Sequence, residues 1–142
     1  MYLRATPAGA TGALTRLVRL PHAPEAVALG RRRVRAELEQ AGLTRPLLDD
    51  IEMVVSELLG NAVRHARPLG NGFLLSWRIG EDEVVVQVTD GGSRQPVRPL
   101  DGPALSESGR GLRIVDRLSQ EWGVCEDPPG GQTVWARFPV DR

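Results

Sequence analysis

Residues 51–66 read I-E-M-V-V-S-E-L-L-G-N-A-V-R-H-A, and this stretch decides how the rest of the chain can fold. Its apolar residues recur at spacings of three and four, which is typical of a helix with one face buried against a sheet. Glu57 and Asn61 are one turn apart, so both project from one helical face. Such a pair can hold a proton-accepting oxygen close to a metal-ligating oxygen. The alternative is an ordinary amphipathic helix on which both side chains are solvated.

Residues 84–92, V-V-V-Q-V-T-D-G-G, form a β-branched run that ends in an acidic residue and two glycines. The pattern predicts a strand that stops at a ligand. Asp90 would lie at the carboxyl end of this strand, where its carboxylate can accept a hydrogen bond from an exocyclic amine such as that of adenine. Gly91 and Gly92 allow the backbone to come close. A strand followed by an ordinary Asp-Gly turn is the alternative.

Residues 108–118, S-G-R-G-L-R-I-V-D-R-L, predict a glycine-rich turn that leads directly into an amphipathic helix. Free amides at such a helix start form an anion site. Gly109 and Gly111 permit close approach of a phosphate, and Arg110 can add a charge-assisted contact. No Gly-Lys-Ser/Thr follows and no strand precedes, so neither a P-loop nor a Rossmann fingerprint is present. Alone, a glycine turn before a helix is a weak signal.

In chain order these three stretches resemble the N box and the two glycine boxes of the GHKL ATPases, which include gyrase, Hsp90, histidine kinases and MutL. The short chain and the wording of the boxes look most like the bacterial anti-sigma factor serine kinases and the stand-alone regulatory ATP-binding proteins of actinomycetes. The resemblance spans about residues 24–139. Three spaced motifs in the right order make a strong match where each one singly is weak.

The resemblance implies a role for each matching residue. Glu57 resembles the general base, Asn61 the magnesium ligand and Asp90 the aspartate that reads adenine. The ligands implied are therefore ATP and Mg²⁺. Glycines and neighbouring side chains would contact the nucleotide, and in this sequence they are Arg64, His65, Gly92, Gly109, Arg110, Gly111, Leu112 and Thr133.

Thr133 resembles the late Gly-Thr element that supports adenine through its hydroxyl. The family more often has Gly directly before this Thr, whereas Gln132 intervenes here. An ordinary strand threonine is therefore an equal alternative.

The coarse pattern predicts strands over 14–20, 73–79, 84–90, 122–126 and 134–140, and helices over 25–40, from 46 to before Pro68, and after residue 108. We expect an α+β fold, a two-layer α/β sandwich with a mixed, mostly antiparallel sheet of about five strands covered on one face by about three helices. This is the Bergerat ATP-binding fold that the resemblance implies. Residues 93–108 lack periodicity and are expected to form a short loop. The resemblance implies that this loop acts as a lid over the phosphates.

Length and composition favour one domain, with 1–12 as a flexible N-terminus and 13–142 as a single histidine kinase-like ATPase domain. Eighteen basic and 18 acidic residues cancel, so nothing favours nucleic-acid binding. With one cysteine, Cys125, and two histidines, neither a disulfide nor a zinc site is expected. No stretch resembles a membrane span or a signal peptide, and a cytoplasmic location is expected.

Arg31, Arg32, Arg33 and Arg35 form the densest charge run, on the first predicted helix. Consecutive positions fan around a helix, so a solvated face is favoured over a docking surface for a partner.

The function implied by the resemblance is that of an ATP-binding regulatory protein. It would be an anti-sigma factor serine kinase that phosphorylates a STAS-type anti-sigma-factor antagonist and sequesters a sigma factor. The alternative is a regulatory module that binds ATP and a protein partner without phosphoryl transfer. Neither function implies contact with nucleic acid or membrane, and a homodimer is left open.

Overall fold

The computed structural model describes residues 14–92, 107–127 and 130–142, with the backbone alone at 14, 107–111 and 127. In chain order its elements are β1 (Leu14–Pro21), α1 (Glu25–Gln40), α2 (Arg45–His65), β2 (Gly72–Ile79), β3 (Glu83–Asp90), α3 (Glu107–Leu118), β4 (Glu121–Asp127) and β5 (Gly131–Pro139). The predicted strands and helices are confirmed, with boundaries that differ by up to three residues. The expected flexible N-terminus, 1–12, lies outside the described residues.

The five described strands form one sheet in the order β1-β2-β3-β5-β4, and all four pairings are antiparallel. The α+β fold and its two layers are confirmed, but the sheet is not mixed. The helical hairpin of α1 and α2 returns the chain to the point where it left the sheet, because Pro21 at the end of β1 pairs with Gly72 at the start of β2. After β3, the α3 crossover gives β4 the direction of β3. The two strands are not neighbours because β5 lies between them.

One face of the sheet carries the hydrophobic core. Side chains alternate along each strand, so residues two apart share a face. The strand residues that pack against the helices are Phe73, Leu75, Trp77, Val84, Val86, Val88, Ala136 and Phe138. From α1 and α2 the same core receives Val34, Leu38, Ile51, Val54, Val55, Leu58 and Leu59. Leu112 and Val115 of α3 belong to the same core, so the three described helices lie on one side of the sheet, as expected.

The first two helices are packed closely and joined by charge. A Cβ at Gly30 of α1 would lie 2.4 Å from Leu59 Cδ1, so this glycine lets α1 approach α2. Arg35 of α1 donates to Asp49 Oδ1 at 2.8 Å and to Glu52 Oε2 at 2.5 Å on α2, and to Glu39 Oε1 at 2.9 Å. These hydrogen bonds raise the pKa of Arg35 above its ordinary value, and the bond to Asp49 has the largest effect.

The arginine run of α1 is therefore divided. Arg31 also reaches Glu52, at 3.5 Å, whereas Arg32 and Arg33 are exposed to solvent.

Within the described part of the chain, no helix combines the length and apolar character needed to cross a bilayer.

Gly72 faces a backbone atom and Gly60 faces a flexible side chain, so substitutions at these two glycines test the packing. A Cβ at Gly72 would lie 2.0 Å from the backbone carbonyl oxygen of Leu20, which cannot move without breaking the β1–β2 pairing. We expect Gly72→Ala to lower the free energy of unfolding by about 2 kcal/mol, measured by urea denaturation. At Gly60 in α2, the nearest atom to a new Cβ is Nη1 of the flexible Arg64 side chain at 3.2 Å.

Gly60→Ala is the matched control and should leave stability unchanged or raise it by up to about 1 kcal/mol, because alanine favours the helix. Equal destabilisation by the two substitutions would contradict the strand packing described here.

Candidate functional site

Helix α2 holds Glu57 and Asn61 at one side of the covered face. Its buried stripe, Leu47, Leu48, Ile51, Val54, Val55, Leu58, Leu59 and Ala62, anchors it against the sheet and the other helices. Glu57 and Asn61 are half-buried beside this stripe. Within the described residues the Glu57 carboxylate has no hydrogen-bond or ion-pair partner. Within the described residues the helix therefore presents an unengaged carboxylate one turn before a carboxamide.

Arg64 lies next to Asn61. Its Nη2 is 3.4 Å from Asn61 Oδ1, and its guanidinium lies over Gly60, where a Cβ would be 3.2 Å from Arg64 Nη1. A hydrogen bond of that length is weak, so the carboxamide oxygen of Asn61 can change partners at small cost. His65, the last residue of α2, is half-buried, and its Nε2 is buried without a hydrogen-bond partner among the described residues.

The end of α2 is tied to the end of β3 by backbone hydrogen bonds. Arg67 N donates to Gly92 O at 2.9 Å, and Gly91 N donates to Arg67 O at 2.8 Å. A Cβ at Gly91 would lie 2.3 Å from the carbonyl oxygen of Pro68, so glycine is required for this approach. The joint brings Asp90, the last residue of β3, to the end of the helix that carries Asn61.

Asp90 is a buried carboxylate. It is 4% exposed, and one of its oxygens accepts a hydrogen bond from Gly92 N at 2.7 Å. Burial raises the pKa of Asp90 to about 6, against the lowering effects of the Gly92 hydrogen bond and of His22. At neutral pH the group is therefore mainly ionised and accepts hydrogen bonds without donating any.

Two glycines with positive φ close the turn around Asp90. Gly92 has φ of 101° and Gly130 has φ of 112°, a region that other residues rarely occupy. A Cβ at Gly92 would lie 2.4 Å from Gly130 O. The backbone that leads into β5 therefore packs directly on the turn that follows β3.

Thr133 does not share the face of Asp90. In the β3–β5 register Thr133 is opposite Thr89, and Asp90 is opposite Gln132. The Thr89 and Thr133 hydroxyl oxygens are 2.7 Å apart, on the face away from the helices. Because the side chains alternate, Gln132 points to the helix-covered face together with Asp90. The prediction that Thr133 supports a base beside Asp90 therefore conflicts with the register, which places Gln132 there.

The second glycine box is helical rather than a turn that precedes the helix. Helix α3 begins at Glu107, so Gly109 and Gly111 lie in its first turns. The side chain of Arg110 lies outside the described part, as does most of the expected lid over 93–108. Leu112 is 5% exposed and belongs to the hydrophobic core, where its side chain holds α3 against its neighbours.

His22 was missed as a site residue by sequence reasoning. It follows β1, and its Nε2 lies 3.1 Å from Ala66 O, at the end of α2. Its ring also packs on Phe73, with centroids 4.8 Å apart. Its charge acts on Asp90. No local signal marks His22, because its neighbours come from three distant segments.

No cluster of three or more acidic, His or Cys side chains suited to a metal is present within 14–92, 107–127 and 130–142. A groove of about 310 Å³ lies elsewhere, at the carboxyl end of α3, between Asp116, Trp122 and Arg137. It contains none of the predicted site residues.

Comparison with known proteins gives a consistent assignment. Residues 20–138 match the family model described as a histidine kinase-like ATPase domain. The serine-protein kinase RsbW of Halalkalibacterium halodurans is 30% identical over 119 residues, which cover 76% of this chain and 74% of that protein.

Two solved structures share the fold. The RsbU and RsbW domains of a Mycobacterium tuberculosis protein superpose with a TM-score of 0.71 at 20% identity, over 91% of this chain and 33% of that one. The SiaB-SiaC complex of Pseudomonas aeruginosa gives a TM-score of 0.60 at 18% identity, over 88% of this chain and 89% of that one.

The buried charge of Asp90 has a measurable cost. Because its pKa in the folded chain is about 6 rather than the ordinary 3.8, the folded state loses stability as pH rises through this interval, and the loss is complete above it. Asparagine keeps the acceptor for Gly92 N–H but carries no charge. We expect Asp90→Asn to be more stable than the unsubstituted protein at pH 7.5, on the order of 1 to 3 kcal/mol.

The difference should disappear near pH 4, and urea denaturation at both pH values would measure it. The exposed Asp82, changed to Asn, is the control and should behave like the unsubstituted protein at each pH. If Asp90→Asn lowers the free energy of unfolding at pH 7.5, then burial of the charged carboxylate does not cost stability.

Proposed function

Because the chain belongs to the histidine kinase-like ATPase domain family, we propose that it is an ATP-binding anti-sigma factor serine kinase. The observation that carries the proposal is the backbone joint between Arg67 and Gly91–Gly92, which holds Asp90 at the end of the helix that bears Glu57 and Asn61. A base-reading carboxylate and a carboxylate–carboxamide pair are then parts of one site.

The residues present fit a nucleotide. Asp90 is buried, mainly ionised at neutral pH and able to accept a hydrogen bond from the 6-amino group of adenine. The first backbone amides of a helix have no intrahelical partner, so those at the start of α3, with Gly109 among them, suit phosphate oxygens; we assign Gly111, in the next turn, to close approach of the phosphates.

Asn61 fits a magnesium ligand, because among the described residues its carboxamide oxygen has the long contact to Arg64 and no shorter hydrogen bond. A Mg²⁺ ion held by Asn61 would neutralise charge that develops during transfer. Arg64 and His65 extend from the same end of α2, and we assign them to phosphate contacts. In this arrangement Arg64 exchanges the Asn61 oxygen for a ligand oxygen.

Glu57 is the proposed general base. Its unengaged carboxylate accepts the proton of a serine hydroxyl as that oxygen forms a bond to the γ-phosphorus, while the bond from the γ-phosphorus to the bridging oxygen breaks and ADP leaves. The products are ADP and a phosphoserine on the partner protein. The hydrophobic anchor of α2 fixes the position from which Glu57 acts.

We propose a STAS-type anti-sigma-factor antagonist as the phosphorylated partner, with a sigma factor as the protein sequestered. Support comes from the similarity to serine-protein kinase RsbW and from the structural likeness to a protein solved as the SiaB-SiaC complex. We also propose a cytoplasmic location for this chain and both partners. A second copy of the chain is a further proposed partner. A regulatory module that binds ATP without transferring phosphate is the alternative function.

Substitutions at Glu57 and Asp90 should separate binding from transfer. Glu57→Gln keeps shape and polarity but removes the base. We expect it to bind Mg·ATP within about threefold of the unsubstituted protein by calorimetry, and to lower the phosphorylation rate by a factor of about 10² to 10⁴. Asp90→Asn replaces an acceptor with a donor at the 6-amino group and should abolish ATP binding.

Transfer is measured with γ-labelled ATP on purified STAS-type antagonists of the source organism, with phosphoserine located by mass spectrometry. Transfer by the unsubstituted protein but not by Glu57→Gln supports the kinase. ATP binding without phosphoserine on any antagonist would favour the non-transferring module, and absence of ATP binding would reject both functions.

A further inference from the structure

Asp90 and Gln132 form a cross-strand pair at one end of the sheet. The register between β3 and β5 is continuous from Glu83 opposite Pro139 to Asp90 opposite Gln132, so no bulge reverses the facing of either residue. Directly opposed residues in an antiparallel pair have Cβ atoms about 5 Å apart. Both are nearly enclosed, at 4% and 6% exposure.

The backbone confines Gln132 to this position. Two residues before it, Gly130 packs its carbonyl oxygen against Gly92, the glycine that donates to the Asp90 carboxylate. Further along β5, Ala136 and Phe138 share the face of Gln132 and lie in the core, which prevents β5 from rotating or slipping by one residue. A group that binds Asp90 from the helix side therefore meets the Gln132 carboxamide as well.

The two side chains complement the edge of adenine. The 6-amino group donates hydrogen bonds and is flanked by two ring nitrogens, N1 and N7, that accept them. An ionised Asp90 can only accept, so it can satisfy the amino group but neither nitrogen. Gln132 supplies the missing donor through Nε2–H. Thr133, whose hydroxyl lies on the opposite face beside Thr89, cannot provide it there.

We propose that Gln132 is a base-reading residue that donates a hydrogen bond to a ring nitrogen of adenine, next to the amino group that Asp90 accepts from. This assignment rests on the proposed ATP binding. It makes recognition of adenine depend on two residues with opposite hydrogen-bonding capacity, and it transfers to Gln132 the supporting role that the sequence suggests for Thr133.

The test compares Mg·ATP with Mg·1-deaza-ATP and Mg·7-deaza-ATP, each of which lacks one of the two ring nitrogens, by calorimetry. We expect Gln132→Leu to weaken ATP binding about tenfold, the effect of one buried hydrogen bond. One of the two analogues should bind the unsubstituted protein about tenfold more weakly than ATP, and Gln132→Leu should weaken that analogue no further.

Gln87→Leu is the matched control, because Gln87 lies on β3 with its side chain on the opposite face, where it donates to Ser76 Oγ. It should leave the affinity for ATP unchanged. The near-isosteric Gln132→Glu keeps the volume but removes the donor, and it should weaken ATP binding at least as much as leucine does. It decides the matter if the leucine variant does not fold.

The proposal is overturned if both analogues bind the unsubstituted protein as tightly as ATP, or if Gln132→Leu and Gln132→Glu retain its affinity for ATP. It is also overturned if Gln132→Leu lowers the affinity for each of the two analogues by the same factor of about ten as for ATP. In these cases ATP still binds and the proposed function stands. Failure of the unsubstituted protein to bind ATP would overturn the proposed function and this assignment together.

Discussion

Two backbone hydrogen bonds between Arg67 and the glycine pair after β3 hold the two halves of the candidate site together. Without them, α2 and β3 would be related only through the core that each shares with the rest of the sheet. The bonds are possible because Gly91 lacks a Cβ where the Pro68 carbonyl approaches, and because Gly92 occupies a positive φ. The Asp-Gly-Gly sequence thus serves two purposes, since it ends the strand and also receives the chain that leaves α2.

The same joint explains why a carboxylate can be kept buried at Asp90. Asp90 lies next to this joint and is 4% exposed, and the Gly92 amide replaces one of the hydrogen bonds to water that its carboxylate has lost. The remaining desolvation raises the pKa of Asp90, so the folded chain keeps a charged acceptor at a cost to its stability. A hydrogen-bond donor on a ligand would stabilise such a carboxylate. This property is expected of a binding residue rather than of a structural one.

The sequence predicts α2 and the β2–β3 hairpin well because each is encoded locally, by a long 3.6-residue period and by two β-branched or apolar runs around a short turn. It also predicts Asp90 at a strand end. It cannot predict that β5 lies between β3 and β4, because each hairpin is consistent with either order of strands. The assignment of Thr133 rather than Gln132 has the same origin: a register shift of one residue exchanges the faces, and only the long-range β3–β5 pairing sets that register.

The position of β5 also determines what can gather at one end of the sheet. Strand β3 ends at Asp90, and β4 starts at the other end, where Glu121 and Glu83 lie near neighbouring residues of β5. Helix α3, which joins them, must therefore begin near the Asp90 end and run back along the sheet, about 18 Å for its 12 residues. Its free amides then face the same end as Gln132 and the last turn of α2. The α3 crossover and the insertion of β5 between β3 and β4 bring distant segments to the same end of the sheet. These segments can there bind the base and the phosphate groups of one nucleotide.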